Sequence, residues 1–236
     1  MSTAFYRITD RITCRVYNSD LGSECPRLVL CHGLYSNGSF YDYYVDCLRD
    51  EDLVVIVIDL YSRSIDEYAR QILSSSPLTE VEDLRVLFDF LKSNGVIYDD
   101  VSILAHSQAA LTCGLIADEY GFRNLFLISP AFNVPGDMAG VDLDSCGELV
   151  RIIPGLVSRR YVMDSVEISL DDVYSFDGQV IIFHGLKDRG VSVKYSVDAC
   201  KHFRNCRLYK LKKQGHNVRS DRAKDYIIDK ILEYML

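Results

Sequence analysis

The sequence predicts a single α/β domain with a mostly parallel central sheet flanked by helices. Short β-branched runs alternate with segments of helical period along nearly the whole chain, which is the pattern of repeated βαβ units. The run LVVIVIDL at residues 53–60 is almost wholly apolar, as expected of a central strand that is covered on both faces. The 236 residues, 48% hydrophobic and 25% charged, suffice for one large core, and no linker rich in Pro, Gly or Ser divides residues 1–236.

Strand and helix signals follow one another in a regular order from the N-terminus. Two alternating runs, FYRIT and TCRVYN, predict an antiparallel opening hairpin, and the strand RLVLCHG and the helical run FYDYYVDCL precede the central strand. Ser76 as a cap and Pro77 at the first helical position predict a helix that ends at Gly95. After the strand VSILAHS, the run AALTCGLIADEYG predicts a buried helix that Gly121 terminates. The strands LFLISP, VIIFHG and RLYKLKK and the helix DRAKDYIIDKILEYML complete the order of elements.

Ser107 is the candidate nucleophile. It stands between the apolar strand VSILA and an apolar helix, with the small residues Ala105 and Ala109 on either side, as a sharp turn from strand to helix requires. At that junction the hydroxyl would lie over the helix N-terminus, whose dipole stabilises negative charge. The alternative interpretation is that Ser107 only caps the helix.

Two further residues favour catalysis, because they follow Ser107 in the order acid and then histidine, each after a predicted strand. Asp188 follows VIIFHG, and His216 follows the last strand. The C-terminal ends of parallel strands share one edge of a sheet, so we expect the three side chains to meet there. His216 would then take the proton from Ser107 while Asp188 orients the imidazole. We favour Asp188 over Asp142 and Asp144, which lie in irregular sequence.

Acyl transfer also needs N–H donors for the developing oxyanion. The predicted donors are the backbone N–H of Gln108, directly after the nucleophile, and that of Leu34 in the loop after RLVLCHG.

Of the other histidines, His32 is expected to shape the loop after RLVLCHG, and His106 and His184 to pack or hydrogen-bond locally, whereas His202 lies on a predicted helix. No two histidines have the spacing of a zinc site, and we expect neither a metal nor a cofactor.

The charge balance bears on the partners of the protein. A formal charge of −8 and a pI of about 5.1 would repel a phosphate backbone, so nucleic acid is not an expected partner. The start of the sequence lacks the features of a secretory signal, and no apolar run approaches the roughly 18 residues that cross a bilayer. We therefore expect a soluble cytoplasmic protein without stable membrane insertion.

Eight cysteines occur in the chain, without a CxxC pair, and most lie within apolar periodic segments. This pattern favours buried free thiols over disulfides or a metal site.

Several motifs together resemble one enzyme family. HGLYSNGSFYDYY is similar to the HGxGEHSGRY segment of the monoglyceride lipase and lysophospholipase group (serine aminopeptidase-like) of α/β hydrolases, and AHSQAA, LFLISPAF, HGLKDRGV and GH follow in the matching order. The resemblance implies the α/β-hydrolase fold, a catalytic triad, an oxyanion hole at Leu34 and Gln108, and a lipid-like ester such as a monoacylglycerol or lysophospholipid beneath a cap. The chain departs from the family in having Tyr35 in place of a glycine, AHSQA in place of GHSMG, and no DxRGHGxS form at residues 59–64.

Residues 131–176 interrupt the alternation before the penultimate strand VIIFHG and exceed the usual connection length. Their apolar residues are interleaved with arginines, which is typical of a short amphipathic segment. We predict a cap insertion that emerges at the catalytic edge, with Tyr35, Ile153 and Leu156 as substrate-binding residues. The alternative is that these apolar residues only cover the sheet.

Other functions stay open at this point. Ser107-Gln108 is also similar to the GFSQG elbow of acyl-protein thioesterases and small carboxylesterases, which use the same triad. A non-catalytic binding protein with this fold is a second alternative, against which the intact triad argues. The expected partner is a small-molecule acyl ester, and the cap is a candidate for transient contact with a membrane surface. The oligomeric state is not predicted.

Overall fold

A single large sheet forms the centre of the molecule in the computed structural model, which describes residues 2–60, 73–152 and 155–236. The strands within these ranges are β1 (Thr3–Arg7), β2 (Thr13–Tyr17), β3 (Arg27–Cys31), β4 (Val54–Asp59), β5 (Ser102–His106), β6 (Asn124–Ile128), β7 (Leu149–Arg151), β8 (Leu156–Ser158), β9 (Gln179–Gly185) and β10 (Cys206–Leu211).

The large sheet has the strand order β1-β2-β4-β3-β5-β6-β9-β10. β2 pairs antiparallel with both β1 and β4, whereas every later pair in the order is parallel. The predicted mostly parallel sheet with an antiparallel opening hairpin is therefore confirmed. Because β3, β5, β9 and β10 run the same way, their C-terminal ends lie at one edge, where open α/β sheets bind their ligands.

Helices connect and cover the strands: α1 (Asp42–Leu48), α2 (Pro77–Ser93), α3 (Gln108–Leu115), α4 (Val134–Ala139), α5 (Arg159–Val166), α6 (Leu170–Tyr174), α7 (Val193–His202) and α8 (Asp221–Met235). α2 begins where the sequence predicted, since the Ser76 side chain accepts a hydrogen bond from the N–H of Thr79 in a capping box and Pro77 opens the helix. Gly95 follows the helix with a φ of +66°, a conformation that suits glycine. No helix in the described parts of the chain is long and apolar enough to cross a membrane.

The sheet has an apolar layer on each face. Side chains such as Val29 and Ile56 belong to the layer formed with α2, α3 and α6. Their neighbours along the same strands, Leu28 and Val55, belong to the opposite layer formed with α1 and α8. This alternation explains why the central strands are apolar at every position, because both faces are covered.

Residues 131–176 contain α4, a 3₁₀ turn (Leu143–Ser145), the antiparallel hairpin β7–β8, α5 and α6. A small apolar cluster, separate from the two main layers, lies within them and consists of Met138, Val150, Val157, Tyr161 and Val162. Further on, Ile168, Val173 and Phe176 pack in the main core. Residues 131–176 therefore comprise an outer part, described at residues 134–152 and 155–166, which we call the outer segment, and a final part that covers the sheet. That they form a cap stays a prediction.

The preference for free thiols over disulfides is wrong for Cys200 and Cys206, which form a disulfide. Cys200 lies in α7 and Cys206 opens β10, and the short connection between helix and strand brings their Cα atoms to 5.2 Å. The remaining six cysteines are free thiols, three of them buried. Sequence periodicity does not reveal a contact that a tight helix-to-strand reversal creates.

Candidate active site

Ser107 occupies a sharp turn between β5 and α3. Its φ of 58° and ψ of −118° lie in a region that residues with a side chain rarely adopt. The neighbouring strand holds this conformation, because the N–H of Ser107 donates to the carbonyl of Ile128 at 2.9 Å and its carbonyl accepts from the N–H of Ala131 at 3.0 Å. The predicted strand-to-helix turn is present, and the Ser107 side chain makes no capping bond to the helix.

The structure brings the three predicted residues together in a continuous chain of hydrogen bonds. Nδ1–H of His216 donates to Oδ2 of Asp188 at 2.7 Å, and the Ser107 hydroxyl lies 2.8 Å from Nε2 of the same ring. Because the carboxylate only accepts, Nδ1 carries the proton and Nε2 offers its lone pair to the hydroxyl. Asp142, by contrast, is bound to the N–H of Asp144 and the hydroxyl of Ser145 in an exposed turn.

The carboxylate of Asp188 is buried and hydrogen-bonded on both oxygens. Its side chain has no solvent exposure, and Oδ1 accepts from the N–H groups of Gly190 and Val191 at 2.9 Å each. Burial raises the pKa of Asp188, but hydrogen bonds from His184, His216 and Val191 outweigh this effect and hold the pKa well below its usual range. Asp188 is therefore ionised.

His184 is a further neighbour of this carboxylate; the sequence predicted local packing or hydrogen bonding for it, but not the contact with Asp188. The ring is fully buried; Nε2–H donates to the carbonyl of Val191 at 3.0 Å and lies 3.3 Å from Oδ2 of Asp188. Nδ1 accepts from the hydroxyl of Ser196 at 2.7 Å, which fixes the tautomer. The available sequence signal was the position of His184 at the end of β9, four residues before Asp188.

Two other histidines support the backbone of the site. Nε2–H of His106 donates to the carbonyl of His216 at 3.2 Å, and its ring stacks on Phe40. Burial, together with the neighbouring His216, lowers the pKa of His106 to about 3, so this ring is neutral at ordinary pH. His32 accepts from the N–H of Leu60 and binds the carbonyl of Gly33 at 3.0 Å. Across the described ranges, no group of three or more His, Cys, Asp or Glu side chains could hold a metal ion.

The loop after β3 lies against the turn at Ser107. A Cβ atom on Gly33 would come within 2.9 Å of both the carbonyl oxygen of His106 and the Cβ of Ser107, so only glycine permits this approach. The next residue, Leu34, lines the cavity in front of Ser107. On the other side, Gln108 is the first residue of α3, where a backbone N–H has no acceptor within the helix. Both predicted oxyanion donors thus belong to segments that adjoin Ser107.

A cavity of about 460 Å³ opens at Ser107 and His216. Five of the residues that line this cavity belong to the 131–176 segment: Ala131, Asn133, Val134, Ile152 and Tyr161. Of the predicted substrate-binding residues, Tyr35 lines the cavity, and Ile153 lies outside the described residues.

Leu156 does not line the cavity. Leu156, the first residue of the short strand β8, is 38% exposed, and its carbonyl accepts a hydrogen bond from the Tyr35 hydroxyl. Ile152, which follows β7, lines the cavity instead.

A buried polar network includes Gln108 and Tyr161 of the cavity lining and was not predicted. Gln108 donates from Nε2 to Glu80 at 2.6 Å, and its Oε1 accepts from the Tyr161 hydroxyl at 2.6 Å. Thr112 donates to the other oxygen of Glu80 at 2.7 Å. A glutamate in the first turn of a helix is ordinarily exposed, so the sequence gave no sign of this contact.

A strand-to-helix turn bearing Ser107, with Asp188 and His216 at the ends of later strands, defines the class of α/β hydrolases. The sequence agrees: a model of the alpha/beta hydrolase family matches residues 28–200, and the chain belongs to this family. No curated protein is significantly similar in sequence.

Solved structures with the same fold include esterases. Est1E from Butyrivibrio proteoclasticus has a TM-score of 0.79 at 18% identity, with 94% of each chain covered. Its structure with ferulic acid bound has a TM-score of 0.80 at 19% identity, covering 95% of this chain and 96% of that one. Alpha/beta hydrolase domain-containing protein 10 from mouse has a TM-score of 0.76 at 13% identity, over 99% and 98% of the two chains. At these identities the similarity establishes the fold.

Proposed function

We propose that this chain is a serine hydrolase that cleaves carboxylic esters through an acyl-enzyme intermediate. The observation that supports it most is the continuous hydrogen-bonded chain from Asp188 through His216 to Ser107, at the floor of an open cavity. A fold retained only for binding would not need all three groups at 2.7 and 2.8 Å with the tautomer set for proton transfer.

In the proposed reaction, His216 removes the proton of Ser107 as the hydroxyl oxygen attacks the ester carbonyl. The resulting imidazolium is stabilised by the ionised Asp188. Collapse of the tetrahedral intermediate expels the alcohol, which receives the proton from His216 and leaves the acyl group on Ser107. A water molecule, activated by the same imidazole, then releases the carboxylic acid.

The negative charge of the tetrahedral intermediate needs fixed donors close to Ser107. We assign this role to the backbone N–H groups of Leu34 and Gln108, which lie on the loop after β3 and at the start of α3. The α3 N-terminus adds a partial positive charge at the same place. Loss of one such donor costs about 10²–10³ in kcat in other hydrolases.

The proposed substrate is a lipid-like acyl ester. The motifs shared with the monoglyceride lipase group favour it, and so do the apolar cavity walls at Leu34, Phe40, Val134 and Ile152. The cavity volume of about 460 Å³ falls in the range of pockets for ligands of moderate size. Est1E, with its bound ferulic acid, shows that a carboxylic acid is accommodated by a protein of this fold. A panel of esters and thioesters of graded chain length would distinguish this proposal from a thioesterase or short-chain esterase.

The predicted cytoplasmic location remains a prediction. Six free thiols agree with a reducing compartment, whereas the Cys200–Cys206 disulfide is of a kind found mainly in oxidising ones.

Covalent labelling with a fluorophosphonate tests the proposed nucleophile without knowledge of the substrate. Wild-type protein should take up one label, mapped to Ser107 by peptide mass spectrometry, and should hydrolyse a short aryl ester. Ser107→Ala should lose labelling and turnover while retaining its circular dichroism spectrum and melting temperature. Ser145→Ala, an exposed serine outside the cavity lining, is the matched control and should behave as wild type. An unlabelled wild type, or a label on another serine, would refute the assignment.

A further inference from the structure

Two tyrosine hydroxyls connect the outer segment to the two places that supply the proposed oxyanion donors, Gln108 itself and the residue after Leu34. Tyr161, on α5, donates to Oε1 of Gln108 at 2.6 Å. Tyr35, the residue after Leu34, donates to the carbonyl of Leu156 on β8. Each N–H assigned to the oxyanion therefore belongs to, or adjoins, a residue that is bound to the outer segment.

The side chain of Gln108 is held at both ends of its amide. Nε2 donates to the carboxylate of Glu80 at 2.6 Å, while Oε1 accepts from Tyr161. Glu80, Gln108 and Tyr161 are each 2% exposed, so their polar groups depend mainly on one another for hydrogen bonds. An amide with a required acceptor on one side and a required donor on the other has one favourable orientation. The network thereby restricts the position of Gln108 as a whole, including its backbone N–H.

The groups that hold Gln108 are themselves fixed on rigid elements. Glu80 lies in the first turn of α2, where the helix dipole favours a negative charge. The N–H of Tyr161 donates to the capping hydroxyl of Ser158 at 3.0 Å at the start of α5. The two helices pack together, and the Ser76 hydroxyl also donates to the carboxylate of Asp164 across their contact. A displacement of α5 would therefore be transmitted to Gln108.

We infer that Tyr161, Glu80 and Tyr35 are positioning residues for the oxyanion hole, so that the outer segment sets the rate of acyl transfer as well as walling the cavity. This inference rests on the proposed function. Oxyanion donors act only if they are aimed at the developing charge before the reaction, which requires the residues that carry them to be held in place. Without the Tyr161 hydroxyl, Oε1 of Gln108 becomes a buried unpaired acceptor, and the side chain must turn to find another partner.

Tyr161→Phe tests the inference because it keeps the packed ring and removes only the hydroxyl. With p-nitrophenyl acetate, whose acyl group is too short to depend on the cavity walls, kcat should fall about tenfold, the upper end of what one hydrogen bond contributes. KM should stay within about twofold of wild type, since ground-state binding is not what the network supports. Affinity for a trifluoromethyl ketone, which forms a tetrahedral adduct on the serine, should fall in parallel with kcat. Tyr35→Phe should show the same pattern with a smaller loss.

The matched control is Tyr174→Phe, a tyrosine of α6 that lies outside the cavity lining and should leave kcat unchanged. Combining Tyr161→Phe with Gln108→Ala, which keeps the backbone N–H, tests whether Tyr161 acts through the side chain of Gln108. If Tyr161 acts through the Gln108 side chain, Tyr161→Phe should have no further effect on kcat in the Gln108→Ala background.

Folded Tyr161→Phe with wild-type kcat would overturn the inference, as would losses that multiply in the double variant. If Tyr161→Phe is too unstable to assay, Gln108→Ala alone decides: unchanged kcat refutes the inference, and reduced kcat at unchanged KM supports it. An inactive, unlabelled wild type would instead refute the proposed hydrolase function.

Discussion

Asp188 is the residue whose environment decides what His216 can do. Burial on its own would favour a neutral carboxylic acid, which could donate a proton to the ring and hold the wrong tautomer. Hydrogen bonds from His184, His216 and Val191 instead lower the pKa of Asp188 and keep it ionised. The ionised group can only accept, so Nδ1 of His216 carries the proton and Nε2 is free to act as a base toward Ser107.

Asp188→Asn should therefore disable catalysis while leaving the nucleophile in place. An amide can donate to Nδ1 and so favours the tautomer with the proton on Nε2, which cannot accept from Ser107. By analogy with a serine protease, kcat for ester hydrolysis should fall by about 10⁴. Asp142→Asn, in the exposed turn of the outer segment, is the control and should retain activity. Near-normal turnover in the Asp188 variant would show that another residue is the acid that orients His216.

The lowered pKa of Asp188 also makes stability depend on pH. Since the folded pKa lies below the unfolded value of about 3.9, ionisation stabilises the fold above that pH, and this contribution is lost as the pH falls through the folded pKa. Asp188→Asn lacks the contribution. In urea unfolding at pH 7 the variant should be less stable than wild type, and the difference should narrow below about pH 4. A difference that is the same at both pH values would show that the ionised carboxylate does not stabilise the fold.

Among the elements, we expect the outer segment to determine how the proposed activity depends on the length of the acyl chain. Ile152, on the β7–β8 hairpin, lines the cavity, whereas Leu156 on the same hairpin is 38% exposed and does not. Each buried methylene of a substrate contributes up to about 0.8 kcal/mol, so kcat/KM should rise with chain length until the cavity is full.

Ile152→Ser should flatten this dependence without loss of activity on the shortest ester, because it makes the acyl wall polar and leaves the triad intact. Leu156→Ser offers a control at a neighbouring position, and its chain-length profile should match wild type. Rates for p-nitrophenyl esters from acetate to decanoate measure both. If Ile152→Ser lowers the melting temperature but keeps the wild-type dependence on chain length, Ile152 stabilises the fold and does not contact the acyl chain.

How much of an element the sequence reveals depends on its length and surroundings. The central strand at residues 53–60 and the capped helix at Ser76 were predictable, because burial on both faces and capping chemistry leave local signatures. The β7–β8 hairpin was not, since strands of three residues are too short to show a period of two.

The same limit applies to side chains of the site. The proposed site residues Ser107, Asp188 and His216 could be found from the sequence because each follows a strand, in the chain order Ser, acid, His that is typical of α/β hydrolases. Glu80, Tyr161 and His184 could not, because helical and strand patterns report which face is buried and not which distant group a buried polar atom meets. Glu80 and Gln108 are 28 residues apart and come together only through the packing of α2 on α3.

For the molecule as a whole, the apolar core and the proposed active site lie in different regions. The two apolar layers lie on the faces of the sheet, whereas the residues of the proposed triad lie in loops at one edge, after β5, β9 and β10. α8 illustrates the separation: it packs against α1 in the second layer and contributes no residue to the cavity lining. A defect in α8 should therefore lower stability without altering the proposed reaction.

Ile231→Ala tests this separation, because the Ile231 side chain on α8 has no solvent exposure and its truncation leaves a cavity in the second layer. The free energy of unfolding should fall by about 2–5 kcal/mol, the usual range for such a truncation, and the melting temperature by about 5–15 °C. Leu236→Ala, at the end of the same helix and 66% exposed, should change stability by less than about 0.5 kcal/mol. At a temperature where both variants are fully folded, the rate of fluorophosphonate labelling should equal that of wild type. A labelling rate that falls together with stability would show that the second layer also positions the active site.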